Sequence, residues 1–197
     1  MKNKQNHDAK TTKWMSCPNV NTEFPGLAFI CILEELCIVK RKDSLHDLIG
    51  TKGISYTILN KDGEKVFLAT QETACEKFKL KIFNYYGNEV ITVKKQYSFC
   101  QNKLFVWAPP DNFLGTVHQS KFAKRKLLVQ NKSQKLIFTI DKQGLCKDEL
   151  KLQEKSIGLI NIFKNSSTIQ LCFPIEMEIE QKTILLAACF LLDYIKL

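Results

Sequence analysis

At 197 residues and 45% hydrophobic content, with 13 phenylalanines, the chain excludes intrinsic disorder and is long enough for one domain with a sizeable core. A formal net charge of +9 suits an anionic membrane surface or a nucleic acid, although a soluble domain with a lysine-rich surface gives the same balance. Eight cysteines, none spaced C-x-x-C and none beside a histidine, exclude the common zinc patterns. The thiols are expected to be reduced and the compartment cytosolic, because Met1 to Lys13 is polar and lysine-rich and does not read as a signal peptide.

Residues 1–16 carry no periodic apolar pattern and read as a mobile basic tail before a domain over 17–197. Cys17-Pro18 through Pro25-Gly26 is loop-like, punctuated by Pro and Gly. Gly26 to Lys40 begins a hydrophobic element that ends strand-like at Leu36, Ile38 and Val39. Lys40 to Gly53 is polar with Leu45, Leu48 and Ile49 set in it, a connection or a helical turn. A hairpin unit then recurs. Ile54 to Leu59 turns at Asn60-Lys-Asp-Gly63 and returns through Glu64 to Ala69. Phe78-Lys-Leu-Lys-Ile alternates strictly, turns at Asn84-Tyr-Tyr-Gly87 and returns as Glu89 to Val93. Lys126 to Gln130 turns at Asn131-Lys-Ser-Gln134 and returns as Lys135 to Ile140. Between the second and third units lie Lys103 to Trp107, the breaker Pro109-Pro110, and Phe113 to Val117. Glu149 to Glu154 and Ile157 to Phe163 complete the expected strands.

The last stretch has a different character. Glu176, Glu178 and Glu180 precede an unbroken apolar run, Ile184, Leu185, Leu186, Ala187, Ala188, Cys189, Phe190, Leu191 and Leu192, and Asp193 follows. Acids in front and Lys196 behind match the sign of a helix dipole. A helix apolar on every face has to be enclosed by protein or lipid. Ile184 to Ile195 would cover about 18 Å at ~1.5 Å per residue, against about 20 apolar residues for a bilayer core. Extending it backwards brings in Lys182, Glu180 and Glu178, so burial in protein is the expected solution. Many short, regular hairpins beside one wholly apolar helix predict a closed antiparallel β-barrel wrapped round it. A β-sandwich with a peripheral helix is the alternative.

These residues resemble the phospholipid scramblases, whose tubby-like fold is a β-barrel around a C-terminal hydrophobic helix. Phe173-Pro174 with Glu176 and Glu178, running into Ala187-Ala-Cys-Phe-Leu-Leu-Asp193, is similar to the family's FPLDLDV and GACFLIDFMFFE segments. Further matches follow in the family's order. They are Cys17-Pro18 with Pro25-Gly26-Leu27, Tyr56 to Asn60 with Gly63, Gly87 to Ile91, and Ala108-Pro-Pro110 with Gly115 to Gln119. The resemblance implies calcium-dependent movement of phospholipids between leaflets at the cytosolic face of the plasma membrane. Its implied partners are phospholipids and an anionic membrane surface.

The departures from the family bear on function. The resemblance implies a calcium loop of the form D-x-D-x-F-G-x-x-F-P-x-D, onto which Asn165, Ser167 and Glu176 fall. Calcium takes several carboxylate oxygens and this stretch offers one, so Ca2+ binding is expected to be weak or lost. The family's cysteine cluster is reduced to Cys100, a single position for S-acylation, and one acyl chain anchors only marginally. The nuclear-import-like segment is replaced by Leu159 to Lys164, and no base-reading motif accompanies the charge, so nucleic acid is not the expected partner. His7, His46 and His118 have no nucleophile or metal spacing around them, so covalent catalysis is not expected. The second reading is a peripheral lipid- or membrane-binding adaptor that has lost calcium binding and scrambling, and the alternative compartment to the plasma membrane is the cytosol or nucleus.

Overall fold

A computed structural model describes residues 13–41, 53–72, 78–95, 102–109, 111–120, 123, 126–142, 147–152, 155–163 and 167–195. Among these residues twelve strands form one closed barrel in which each strand is antiparallel to both neighbours. They are β1 Glu35–Lys40, β2 Ile54–Leu59, β3 Lys65–Glu72, β4 Lys79–Phe83, β5 Glu89–Lys95 and β6 Lys103–Ala108. The second half is β7 Asn112–Gln119, β8 Lys126–Asn131, β9 Leu136–Lys142, β10 Lys147–Leu152, β11 Lys155–Phe163 and β12 Thr168–Cys172. Order round the wall follows order in the chain, and β12 closes the barrel on β1 through Leu36↔Leu171 and Ile38↔Ile169. Closure leaves no strand edge unpaired.

The wall follows from alternation. In β4, Leu80 and Ile82 point inward and are fully buried while Lys79 and Lys81 face outward. Every strand expected from the sequence is present, and one is added. β12 occupies the stretch read as a calcium loop, where Ile169 and Leu171 alternate with Thr168, Gln170 and Cys172. Its outward Gln170 accepts from Asn161 Nδ2 at 3.0 Å and donates to Glu35 at 2.8 Å, which stitches β11, β12 and β1 together. The end of the expected tail also joins the wall. Lys13 and Met15 exchange backbone hydrogen bonds with Lys65, and Trp14 forms a parallel bridge there.

The three repeated turns have one geometry. Asn60, Asn84 and Asn131 each accept two backbone N–H groups on Oδ1, from the residues two and four further on, at 2.8–3.1 Å. The residue three further on adopts positive φ: Gly63 at 78°, Gly87 at 78°, Gln134 at 61°. Glycine suits this position and glutamine does not, a difference of about 1 kcal/mol. Gln134→Gly is therefore expected to raise the unfolding free energy by about 0.5–1 kcal/mol, read as a higher midpoint in urea.

Inside runs α2, Ile179–Ile195, while Pro25–Leu27 and the short α1, Ala28–Cys31, cover the end where α2 begins. That end is the cap end. At the far end, where α2 finishes, Phe78 packs on Tyr194 and Tyr56 on Phe190, both at 5.0 Å between ring centroids. Ile184 to Leu192 are all buried, as the sequence implied. Gly115 on β7 lets the helix come close: a Cβ there would lie 2.8 Å from Ile184 Cδ1 and 2.1 Å from the Gln130 carbonyl oxygen.

Candidate functional site

The chemistry of this barrel sits at its two ends, because the lumen is filled by the apolar helix. At the cap end, Lys182 is 0% exposed, one turn into α2. Its ammonium donates to the carbonyls of Ile175 at 2.8 Å, Leu33 at 2.9 Å, Cys31 at 3.0 Å and Ile30 at 3.4 Å. Nζ also lies 5.2 Å from the Phe173 ring centroid. Burial pushes this ammonium below the usual lysine range, against Cys31 and Glu176, which push it up. The carbonyls come from α1, from the turn into β1 and from the connection into α2, so one side chain ties the cap to the helix. The sequence offered Lys182 as a charge unfit for a membrane centre, and the cage that accommodates it was not legible there.

Asp193 is the counterpart at the far end. The Tyr56 hydroxyl donates to Asp193 Oδ2 at 2.9 Å, with Gln71 Oε1 at 3.2 Å. Burial first, and the Asp193 carboxylate second, push the Tyr56 hydroxyl far above its usual range, so it stays protonated. The helix is thereby held to β2 at its last turn.

The two expected calcium residues that are described, Ser167 and Glu176, do not converge. Asn165 and Cys100 lie outside the described residues. Ser167 precedes β12 at the far end, and Glu176 follows β12 at the cap end. Six strand steps separate Ser167 from Phe173, about 20 Å at ~3.3 Å per residue. Ligands of one calcium lie 2.3–2.6 Å from the ion. Ser167 and Glu176 therefore do not fit a common ion, because the loop that would have bent them together is a strand. Calorimetric titration is expected to show no saturable heat below millimolar calcium, and Asn165→Asp with Ser167→Asp to create no micromolar site that includes Glu176. A micromolar wild-type site would contradict this.

His118 lies on β7 opposite Lys103 and Leu128, a wall residue whose imidazole is pushed down by burial and by Lys103. A groove of about 720 Å3 opens at the cap end between Trp14, Met15, Cys17, Phe29, Tyr85 and Tyr86. Its rings stack edge-on, Trp14 on Tyr85 at 5.4 Å and Tyr85 on Tyr86 at 5.2 Å, and Tyr86 is 72% exposed.

A closed antiparallel barrel threaded by a buried C-terminal helix is the tubby-like architecture, mainly β. The family model described as Scramblase matches residues 15–196, and the chain belongs to that family. It is a divergent member. Phospholipid scramblase 2 of Bos taurus is 24% identical over 216 residues, covering 91% of this chain and 72% of that protein. Phospholipid scramblase 1 of Mus musculus is 25% identical over 220 residues, covering 93% of this chain and 67% of that protein. A solved protein of Arabidopsis thaliana shares the fold at a TM-score of 0.56 and 15% identity, over 85% of this chain and 95% of its own.

Proposed function

We propose that this chain is a phospholipid-membrane protein that engages the bilayer from the cytosolic face of the plasma membrane while α2 stays inside its barrel. The carrying observation is the enclosure of Ile184 to Leu192 by the wall, with Lys182 and Asp193 fastening the two ends of the helix. Among the described residues no helix is long and apolar enough to cross a membrane. The outward strand positions on β4, such as Lys79 and Lys81, are cationic, which disfavours contact with lipid tails. This supports the peripheral reading over calcium-driven lipid movement, for which the separated Ser167 and Glu176 supply no common ligand set. Family membership supports phospholipid as the partner and lipid handling without a covalent step.

The test is reconstitution with vesicles containing anionic lipid, with and without calcium, scoring dye-lipid flipping and protein retention together. The expected result is binding at low salt, release at high salt and no flipping, since electrostatic attachment is screened within about 10 Å at 0.1 M salt. Retention through high salt and carbonate would place Ile184 to Ile195 in the bilayer. Calcium-dependent flipping would restore the scramblase activity implied by the family.

A further inference from the structure

We infer that the far end of the barrel, where α2 finishes, is the face that docks on the bilayer, and that its partner is the anionic headgroup layer. The inference rests on the peripheral reading and specifies its orientation.

The topology sorts charge. Consecutive strands are antiparallel, so their connections alternate between the two ends. At the far end the described strand termini carry Lys40, Arg41, Lys79, Lys95, Lys103 and Lys126, against Glu72, Asp141 and Asp193. Lys79 pairs with Glu72 at 3.1 Å and Lys126 with Asp141 at 3.6 Å. Asp193 is taken up by Tyr56. Among the described residues Lys40, Lys95 and Lys103 have no ion-pair partner. Lys95 and Lys103 instead sit over aromatic rings, Tyr194 at 5.0 Å and Phe105 at 5.3 Å. Tyr194 is 39% exposed and Phe163 is also exposed at this end. Lysines interleaved with a partly exposed tyrosine form the combination that sits at headgroup level.

The cap end has the opposite sign. Glu34, Glu35, Asp62, Glu64, Glu89, Asp111, Glu176 and Glu178 lie in its described connections and strand termini, against Lys13, Lys61, Lys65, Lys132, Lys135 and Lys155. Two of those lysines are occupied, Lys61 by Glu34 at 3.3 Å and Lys132 by Glu180 at 3.5 Å. The polarity runs with the helix dipole, acids at the start of α2 and lysines at its finish. Among the described residues the cap end exposes more large apolar side chains, including Ile32, Tyr85, Tyr86 and Ile175. Its carboxylates would nonetheless face an anionic leaflet at a cost, where the far-end lysines gain. Charge therefore decides the orientation.

Two triple variants test it on vesicles of phosphatidylcholine with phosphatidylserine. Lys40→Gln, Lys95→Gln and Lys103→Gln together are expected to weaken binding about 100-fold. Lys61→Gln, Lys132→Gln and Lys135→Gln together are expected to change it less than threefold. Amide hydrogen exchange of the wild-type chain gives the same answer without substitution. Protection on vesicle binding is expected around Lys40, Lys95 and Lys103, with none in turns 60–64, 84–88 and 131–135. Protection of those turns instead, or an equal loss from both triple variants, overturns the orientation and leaves the membrane reading standing. Absence of wild-type binding overturns the membrane reading and the orientation with it. Binding of duplex DNA through the same lysines, without vesicle binding, overturns the partner.

Discussion

Ala188→Glu is expected to leave no folded protein in detergent-free buffer. Ala188 is fully buried midway along α2, with Ala187 and Cys189 equally enclosed beside it. A carboxylate there has no cation within the helix run, since Ile184 to Leu192 contains no charged residue. An unpaired buried charge costs several kcal/mol, and protonating it still leaves a bulky polar group without a partner. Overpacking adds about 1–3 kcal/mol where an alanine touches its neighbours. Domains of this size are stable by about 5–15 kcal/mol, so the combined penalty takes most or all of it. The measurement is refolding yield with far-ultraviolet circular dichroism. A soluble variant with wild-type strand content would mean that α2 is not enclosed by the barrel.

Lys182→Met is expected to lower the unfolding free energy by about 3 kcal/mol, and Lys182→Ala by about 5. Methionine keeps most of the apolar stem, so its loss isolates the ammonium. Four carbonyls lose a charged donor, and a buried acceptor left without a partner costs about 1–3 kcal/mol. Two effects hold the total down. The Ile30 carbonyl also accepts from Leu33 N–H at 3.2 Å, so it is not orphaned. Removing the ammonium also returns the cost of burying it, the same cost that lowers its proton affinity in the native protein. Urea unfolding of both variants measures the difference. A methionine variant within 0.5 kcal/mol of wild type would show that the cage adds nothing beyond packing, and α1 would need another anchor.

Most of the barrel was legible because alternation is a local property. Leu80 and Ile82 between Lys79 and Lys81 declare two faces whatever the strand pairs with. The asparagine turns were legible too, because Asn60 and Asn84 are followed three residues later by glycine. β12 was misread for a physical reason: five residues with only Ile169 and Leu171 inward are a weak signal, and the family motif written across them suggested a loop. The cage round Lys182 left no signal at all. Its acceptors are backbone carbonyls, which every residue carries, and three of the four come from residues about 150 positions away.

The sequence by itself determined the mainly-β class, the repeating hairpins, the family and a C-terminal helix that has to be enclosed, because periodicity, turn chemistry and an all-round apolar run act within a few residues. Only the tertiary structure decided how the ends of the chain are used. It made β12 the strand that closes the wall, and so parted Ser167 from Glu176. It also wrapped Lys182 in carbonyls and gathered lysines at one end of the barrel with carboxylates at the other. Those outcomes depend on which strand ends share a rim, and that is fixed by closure of the barrel, a long-range event with no local signature.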